Sequence, residues 1–203
     1  QILLVSSILF IFALKLFGRP STAHRANTFA MLAMALAVFS AFNFDFSKYD
    51  SAFYITIVVS GLLGVLISKR VQMTQMPELV GLFNGFGGGA SGAIAYVELS
   101  GNSLPISDVF VAIFSMVIGI FTFSGSLVAV MKLRGKLNNF NKKLADIFSV
   151  FLPTIILIPV VLEMDDLLIE FIILVSLIGG VIRVAVIGGA DMPVVIAFLN
   201  SLS

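Results

Sequence analysis

Seven apolar runs, each about the length of a membrane-crossing helix, return along this chain at regular intervals with short gaps between them. They lie at approximately Gln1–Phe17, Thr28–Phe44, Ser51–Ile67, Leu79–Val97, Val109–Met131, Ile147–Leu162 and Leu167–Ile187, and an eighth opens near Met192. At 1.5 Å per residue most of these can cross a hydrocarbon layer of roughly 30 Å, the shorter ones only just. One such run alone reads equally well as the buried helix of a soluble protein. Seven in succession do not, and 59% hydrophobic residues against 11% charged points the same way. The expected fold is all-α, a polytopic transmembrane bundle of seven full helices and the start of an eighth. The chain opens on Gln1 and closes inside a run, so residues 1–203 are read as one transmembrane domain of something longer.

Basic residues divide by gap. Lys15, Arg19 and Arg25 fall in or beside the first gap, and Lys69 and Arg70 in the third. Lys132, Arg134, Lys136, Lys142 and Lys143 fall in the fifth, Arg183 lies towards the seventh, and Lys48 stands in an even-numbered gap. By the positive-inside rule the odd gaps are cytoplasmic and the amino terminus is outside. The first run lacks a basic segment before it, unlike a removable signal peptide. Glu163, Asp165 and Asp166 crowd the sixth gap, as an outer loop would allow. The absence of cysteine excludes disulfides, thiolate nucleophiles and Cys-ligated metals within the chain. His24 is expected to be a solvated loop residue, and a net charge of +1 gives no reason to expect nucleic acid. The basic fifth gap reads as an orientation signal and a contact for lipid headgroups.

Polar side chains at membrane depth carry most of the functional information. The string from Pro77 to Gly92 holds Asn84 and six glycines in otherwise apolar surroundings. Gly81, Gly85 and Gly89 recur every four residues, the small-residue spacing that lets helices approach closely. Asn84, Gly88 and Ser91 share a face, where the amide can serve as interhelical glue or line a hydrated path. On the next run Ser115, Gly119, Thr122 and Ser126 form a stripe over about 16 Å of helix, with Asp108 at its far end. Such hydroxyls can hold a chain of waters, or bond back to their own helix carbonyls. Gly188-Gly-Ala-Asp-Met-Pro193 opens the eighth run. There Asp191 can cap the helix, Pro193 suits its first turn, and Asn200 lies about 13 Å further on. Gly85-Phe-Gly-Gly-Gly-Ala90 fits the dinucleotide fingerprint letter by letter. It lies inside a helix whose N–H groups are already bonded, so it is rejected as a nucleotide site.

Met76-Pro-Glu-Leu-Val80, Thr122-Phe-Ser-Gly-Ser-Leu-Val-Ala129 and Gly188-Gly-Ala-Asp-Met-Pro-Val-Val-Ile-Ala-Phe-Leu-Asn-Ser201 together resemble the beta subunit of proton-translocating NAD(P) transhydrogenase, and the likeness extends over nearly the whole chain. The resemblance implies a multi-pass protein of the inner (cytoplasmic) membrane that couples proton passage to hydride transfer from NADH to NADP. It implies as partners an alpha subunit carrying the NAD(H) domain and membrane helices, a following NADP(H)-binding domain absent from this chain, membrane lipid, and a dimer of the whole complex. The nucleotides are then cofactors of the complete complex. This stretch itself would bind no cofactor or metal and hold no residue catalytic for hydride transfer. Carried over by position, Asn84, Ser126, Asn200 and Asp108 are implied to belong to the proton path, and Asp191 and Glu78 to the coupling with the nucleotide domain. Many members of the family have histidine where this chain has Asn84. A carboxamide orients water without changing charge near neutral pH, so the titrating group is expected elsewhere: Asp191, Glu78 or a residue of a partner chain. The rival reading is a secondary transporter or channel fragment with a polar solute site at mid-membrane; a third is a purely structural membrane subunit.

Overall fold

The computed structural model describes residues 2–41, 49–101, 104–137, 146 and 166–202. The run at Ile147–Leu162 and the charged residues Lys48, Lys142, Lys143, Glu163 and Asp165 lie outside them. Every regular element among the described residues is helical: α1 (Ile2–Phe17), α2 (Ala23–Ala41), α3 (Ser51–Arg70), α4 (Met76–Gly101), α5 (Ile106–Leu133), α6 (Asp166–Ala185) and α7 (Met192–Leu202). Of these, α3, α5 and α6 are long and apolar enough to cross a membrane.

Local chemistry sets the ends. Pro20 opens a short 3-10 turn before α2, and Thr22 Oγ1 donates to the Leu16 carbonyl at 2.6 Å, tying the end of α1 to the turn. Helix α2 therefore begins five residues before its apolar run does. His24 stands exposed on its first turn and not in a loop, because the connection is shorter than the polar gap suggested. A second 3-10 turn, Met73–Gln75, leads into α4; the Gln72 N–H donates to Gln75 Oε1 at 3.1 Å, and Pro77 occupies the second helical position, where its missing N–H costs nothing. Gly135 adopts φ 65° just past α5. With the Lys136 N–H on the Met131 carbonyl and the Gly135 N–H on that of Lys132, both at 2.9 Å, this is a left-handed helix stop that glycine alone accepts without strain.

The chain divides into two compact units, residues 1–69 and 70–203. In the first, α1 and α2 pack through small residues: Ala13, Ala26 and Ala33 are buried, and Ser6 Oγ donates to the Ala33 carbonyl at 2.7 Å. In the second, α5 is the central helix, packed against α4, α6 and α7. One apolar cluster (Val128, Ala129, Val184, Ala185, Met192, Ile196, Leu199) joins α5 to α6 and α7. The other (Ala95, Ile113, Met116, Val117, Ile169, Ile172) joins it to α4 and the opposite end of α6. From these pairings, α4 and α7 run antiparallel to α5, whereas α6 runs parallel to it.

The exterior is unlike that of a water-soluble protein. Leu62, Val97, Leu167 and Val194 are exposed, while Asn84, Thr122, Ser124, Ser126 and Ser176 are buried. An aliphatic exterior around a hydroxyl- and amide-bearing interior suits lipid as solvent.

Candidate functional site

The polar interior concentrates where α4 crosses α5. Gly81, Asn84, Gly85, Gly88, Gly92 and Ala95 are the buried residues of α4; apart from the adjacent pair Asn84-Gly85 they step by three or four and therefore share one face. Closest approach falls at Gly88 and Gly119. A methyl group built on Gly88 would stand 2.7 Å from the Gly119 carbonyl oxygen, and one on Gly119 would stand 2.6 Å from the Gly92 nitrogen. The obstacles are main chain, so only glycine permits this separation.

That approach brings Asn84 to Ser126. The Asn84 Nδ2 donates to Ser126 Oγ at 2.9 Å, and both residues are buried. The amide is thus interhelical glue in one half. In its other half, Asn84 Oδ1 is buried with no hydrogen-bond partner among the described residues, and the same holds for Thr122 Oγ1 one turn of α5 away. Each such atom costs about 1–3 kcal/mol unless something else bonds to it.

Beside Asn84 a cavity of about 600 Å³ opens between α4 and α7, lined by Val80, Phe83, Asn84, Gly87, Ser91, Pro193, Ile196, Ala197 and Asn200. Two of the carried-over proton-path residues, Asn84 and Asn200, therefore border one space although they stand on different helices. A second cavity of about 380 Å³ holds Ser91, Glu98, Asp108 and Ser115 among its walls. Ser91 belongs to both, so α4 carries a polar seam Asn84–Ser91–Glu98 at intervals of seven residues, about 21 Å long.

The expected stripe on α5 divides. Gly119, Thr122 and Ser126 press against α4 in a buried seam, whereas Ser115 is exposed and faces the second cavity. Back-bonding to the helix is seen at Ser124, on the Phe121 carbonyl at 3.2 Å, and at Ser176, on that of Ile172 at 2.7 Å. Asp108 is exposed in the first turn of α5, accepting from Ser107 Oγ at 3.0 Å.

At the opposite end, Glu78 accepts from Arg134 Nε at 2.6 Å, which links the start of α4 to the stop of α5. Asp191 ends the 3-10 turn Gly189–Asp191 and is exposed; Pro193 is the second residue of α7. The structure thus pairs Glu78 with Arg134, and sets Asp191 on a separate connection.

Three participants escaped the sequence reading. Glu98 was readable in principle from its seven-residue spacing to Ser91. From the sequence, Arg134 and Lys132 read as an orientation signal and a contact for lipid headgroups. Lys132 is in fact buried, its Nζ donating to the carbonyls of Ala185 and Ile187 at the end of α6.

An apolar outer surface enclosing a polar seam, on helices packed through glycine, defines a polytopic helical membrane protein. Comparison with known proteins makes this specific: a family model described as NAD(P) transhydrogenase beta subunit matches residues 1–203, and the chain belongs to that family. Two similar curated proteins, both named NAD(P) transhydrogenase subunit beta, come from Rhodospirillum rubrum, one of them from strain ATCC 11170. Each is 29% identical over 214 residues, covering 98% of this chain and 46% of its own length. The chain thus spans about half the length of the curated relatives it matches.

Proposed function

We propose that this chain forms part of the membrane passage of a proton-translocating NAD(P) transhydrogenase in the inner (cytoplasmic) membrane, its amino terminus outside as the distribution of Lys and Arg favours. Hydride transfer from NADH to NADP then takes place on partner domains, one in the alpha subunit and one downstream of the present residues, within a dimer of the complex. The bound nucleotides supply the redox chemistry; the residues here bind, orient and pass protons.

One observation carries this reading: Asn84 is held by Ser126 with its own carbonyl oxygen unpartnered, beside a cavity that it shares with Asn200. Such a buried acceptor selects strongly for whichever donor, a water or a protonated group, reaches it from the neighbouring cavity. Protons enter from the outer side by the cavity of Glu98 and Asp108, pass Ser91, and reach Asn84 and Asn200. The Gly88–Gly119 contact leaves the α4–α5 seam itself too tight for water, so the route follows the α4 face that the two cavities border. Asp191 and Glu78, at the other ends of the same helices, sense the docked nucleotide domain. No separate feature favours a solute transporter.

The test uses the complete complex in sealed vesicles, with proton uptake followed during hydride transfer. Asn84→Leu and Asn200→Leu are each expected to abolish uptake, and Glu98→Gln to slow it. Undiminished uptake in both leucine variants would remove the amides from the passage.

A further inference from the structure

Lys132 is 5% exposed, on the last turn of α5. A charge at a helix end needs no burial, since a lysine stem reaches the interface readily. Here the stem turns inward instead, and the ammonium meets two main-chain oxygens, that of Ala185, the last residue of α6, and that of Ile187 in the connection beyond it. The Ala185 oxygen belongs to the group of carbonyls that a helix C-terminus leaves without internal partners, and the negative end of the helix dipole favours a cation there. The same few residues lead directly into the Gly189–Asp191 turn and α7. Gly189 also lies close to this junction, a methyl group built on it standing 3.6 Å from the Lys132 carbonyl oxygen. Below the contact, Val128, Ala129, Val184, Ala185 and Met192 form one packed cluster, so the ammonium sits on a rigid base.

We propose that Lys132 is a positioning residue for coupling: its ammonium clasps the α6–α7 connection and holds Asp191 and the register of α7, hence Asn200, against α5. The inference rests on the proton-passage reading above and adds a control element to it. The clasp differs from ordinary packing in one respect. Charge-assisted hydrogen bonds to two backbone carbonyls fix a connection without filling it, so the connection is defined in position while its own side chains stay free to meet a docking domain. Asp191 is exposed, as that task requires.

The experiment measures how far an imposed proton gradient accelerates hydride transfer by the complete complex in vesicles, alongside assembly and melting temperature. Lys132→Met should reduce that acceleration about fivefold, a size typical of mutations that alter coupling between sites. Lys132→Arg, which keeps charge and several donors, should restore most of it, and Lys132→Gln should fall between. Acceleration equal to wild type in Lys132→Met overturns the proposal. So does failure of Lys132→Met and Lys132→Arg alike to assemble, which would mark a lysine needed for folding only. If the wild-type complex itself shows no response to the gradient, the proton-passage reading fails instead, before any Lys132 variant is compared.

Discussion

Asn84 and Ser126 meet side chain to side chain across two antiparallel helices, at 2.9 Å and away from solvent. Interhelical hydrogen bonds of this kind contribute about 0.6 kcal/mol on average and up to about 1.7 kcal/mol. Ser126→Ala should therefore lower stability by about 1 kcal/mol, read as a drop in the thermal unfolding midpoint in detergent. The paired variant Asn84→Ala/Ser126→Ala should cost less than the sum of the singles, because each single change strands the other partner. Strict additivity in this cycle would show that the two side chains do not interact.

The closest approach of α4 to α5 makes a sharper claim. Gly88→Ala drives a methyl group to 2.7 Å from the Gly119 oxygen, whereas the neighbouring Gly87 has nothing within 4 Å of such a group. Overpacking of this sort costs about 1–3 kcal/mol, and a strained backbone contact lies at the upper end. Gly87→Ala should leave the midpoint unchanged or raise it slightly, since alanine is the better helix former. Equal midpoints for the two variants would refute the observed α4–α5 register.

The ion pair between Glu78 and Arg134 carries a smaller expectation. Its side chains are 17% and 46% exposed, so water and salt screen the attraction. Arg134→Ala should cost less than about 1 kcal/mol at moderate salt and less still at high salt. A larger loss, insensitive to ionic strength, would mean that the guanidinium holds α5 to α4 by packing.

Much of this arrangement is legible along the chain. Apolar run lengths delimit the described helices to within a few residues, and the spacing of Gly81, Asn84, Gly85, Gly88 and Gly92 marks the buried face of α4. Which residue of a neighbouring helix meets that face is not legible, because it depends on the axial register between helices. A stripe of small residues fits several registers almost equally well. Hence Asn84 and Ser126 each stand out as polar within an apolar run, while their contact does not. Lys132 illustrates a different limit. A lysine at the end of an apolar run almost always marks the membrane surface, and only the parallel course of α5 and α6 places carbonyls 53 and 55 positions further along the chain where its ammonium can turn inward. Glu98 was a matter of periodicity: the seven-residue step from Ser91 was there, but in a segment whose polar character began to merge with the following gap.

Thr122 separates a dry seam from a wet one. It is fully buried, and its hydroxyl finds no acceptor or donor among the described residues. If the seam is dry, Thr122→Val removes an unsatisfied polar group at almost constant volume and should stabilise the protein by about 1 kcal/mol. Proton uptake during hydride transfer should then be unchanged, because the passage borders the other face of α4. A loss of stability would show that the hydroxyl has a partner in the assembled complex. A loss of proton uptake at unchanged stability would move the route into the α4–α5 seam, against the tight contact of Gly88 with Gly119. Measured together, midpoint and uptake distinguish all three outcomes with a single substitution.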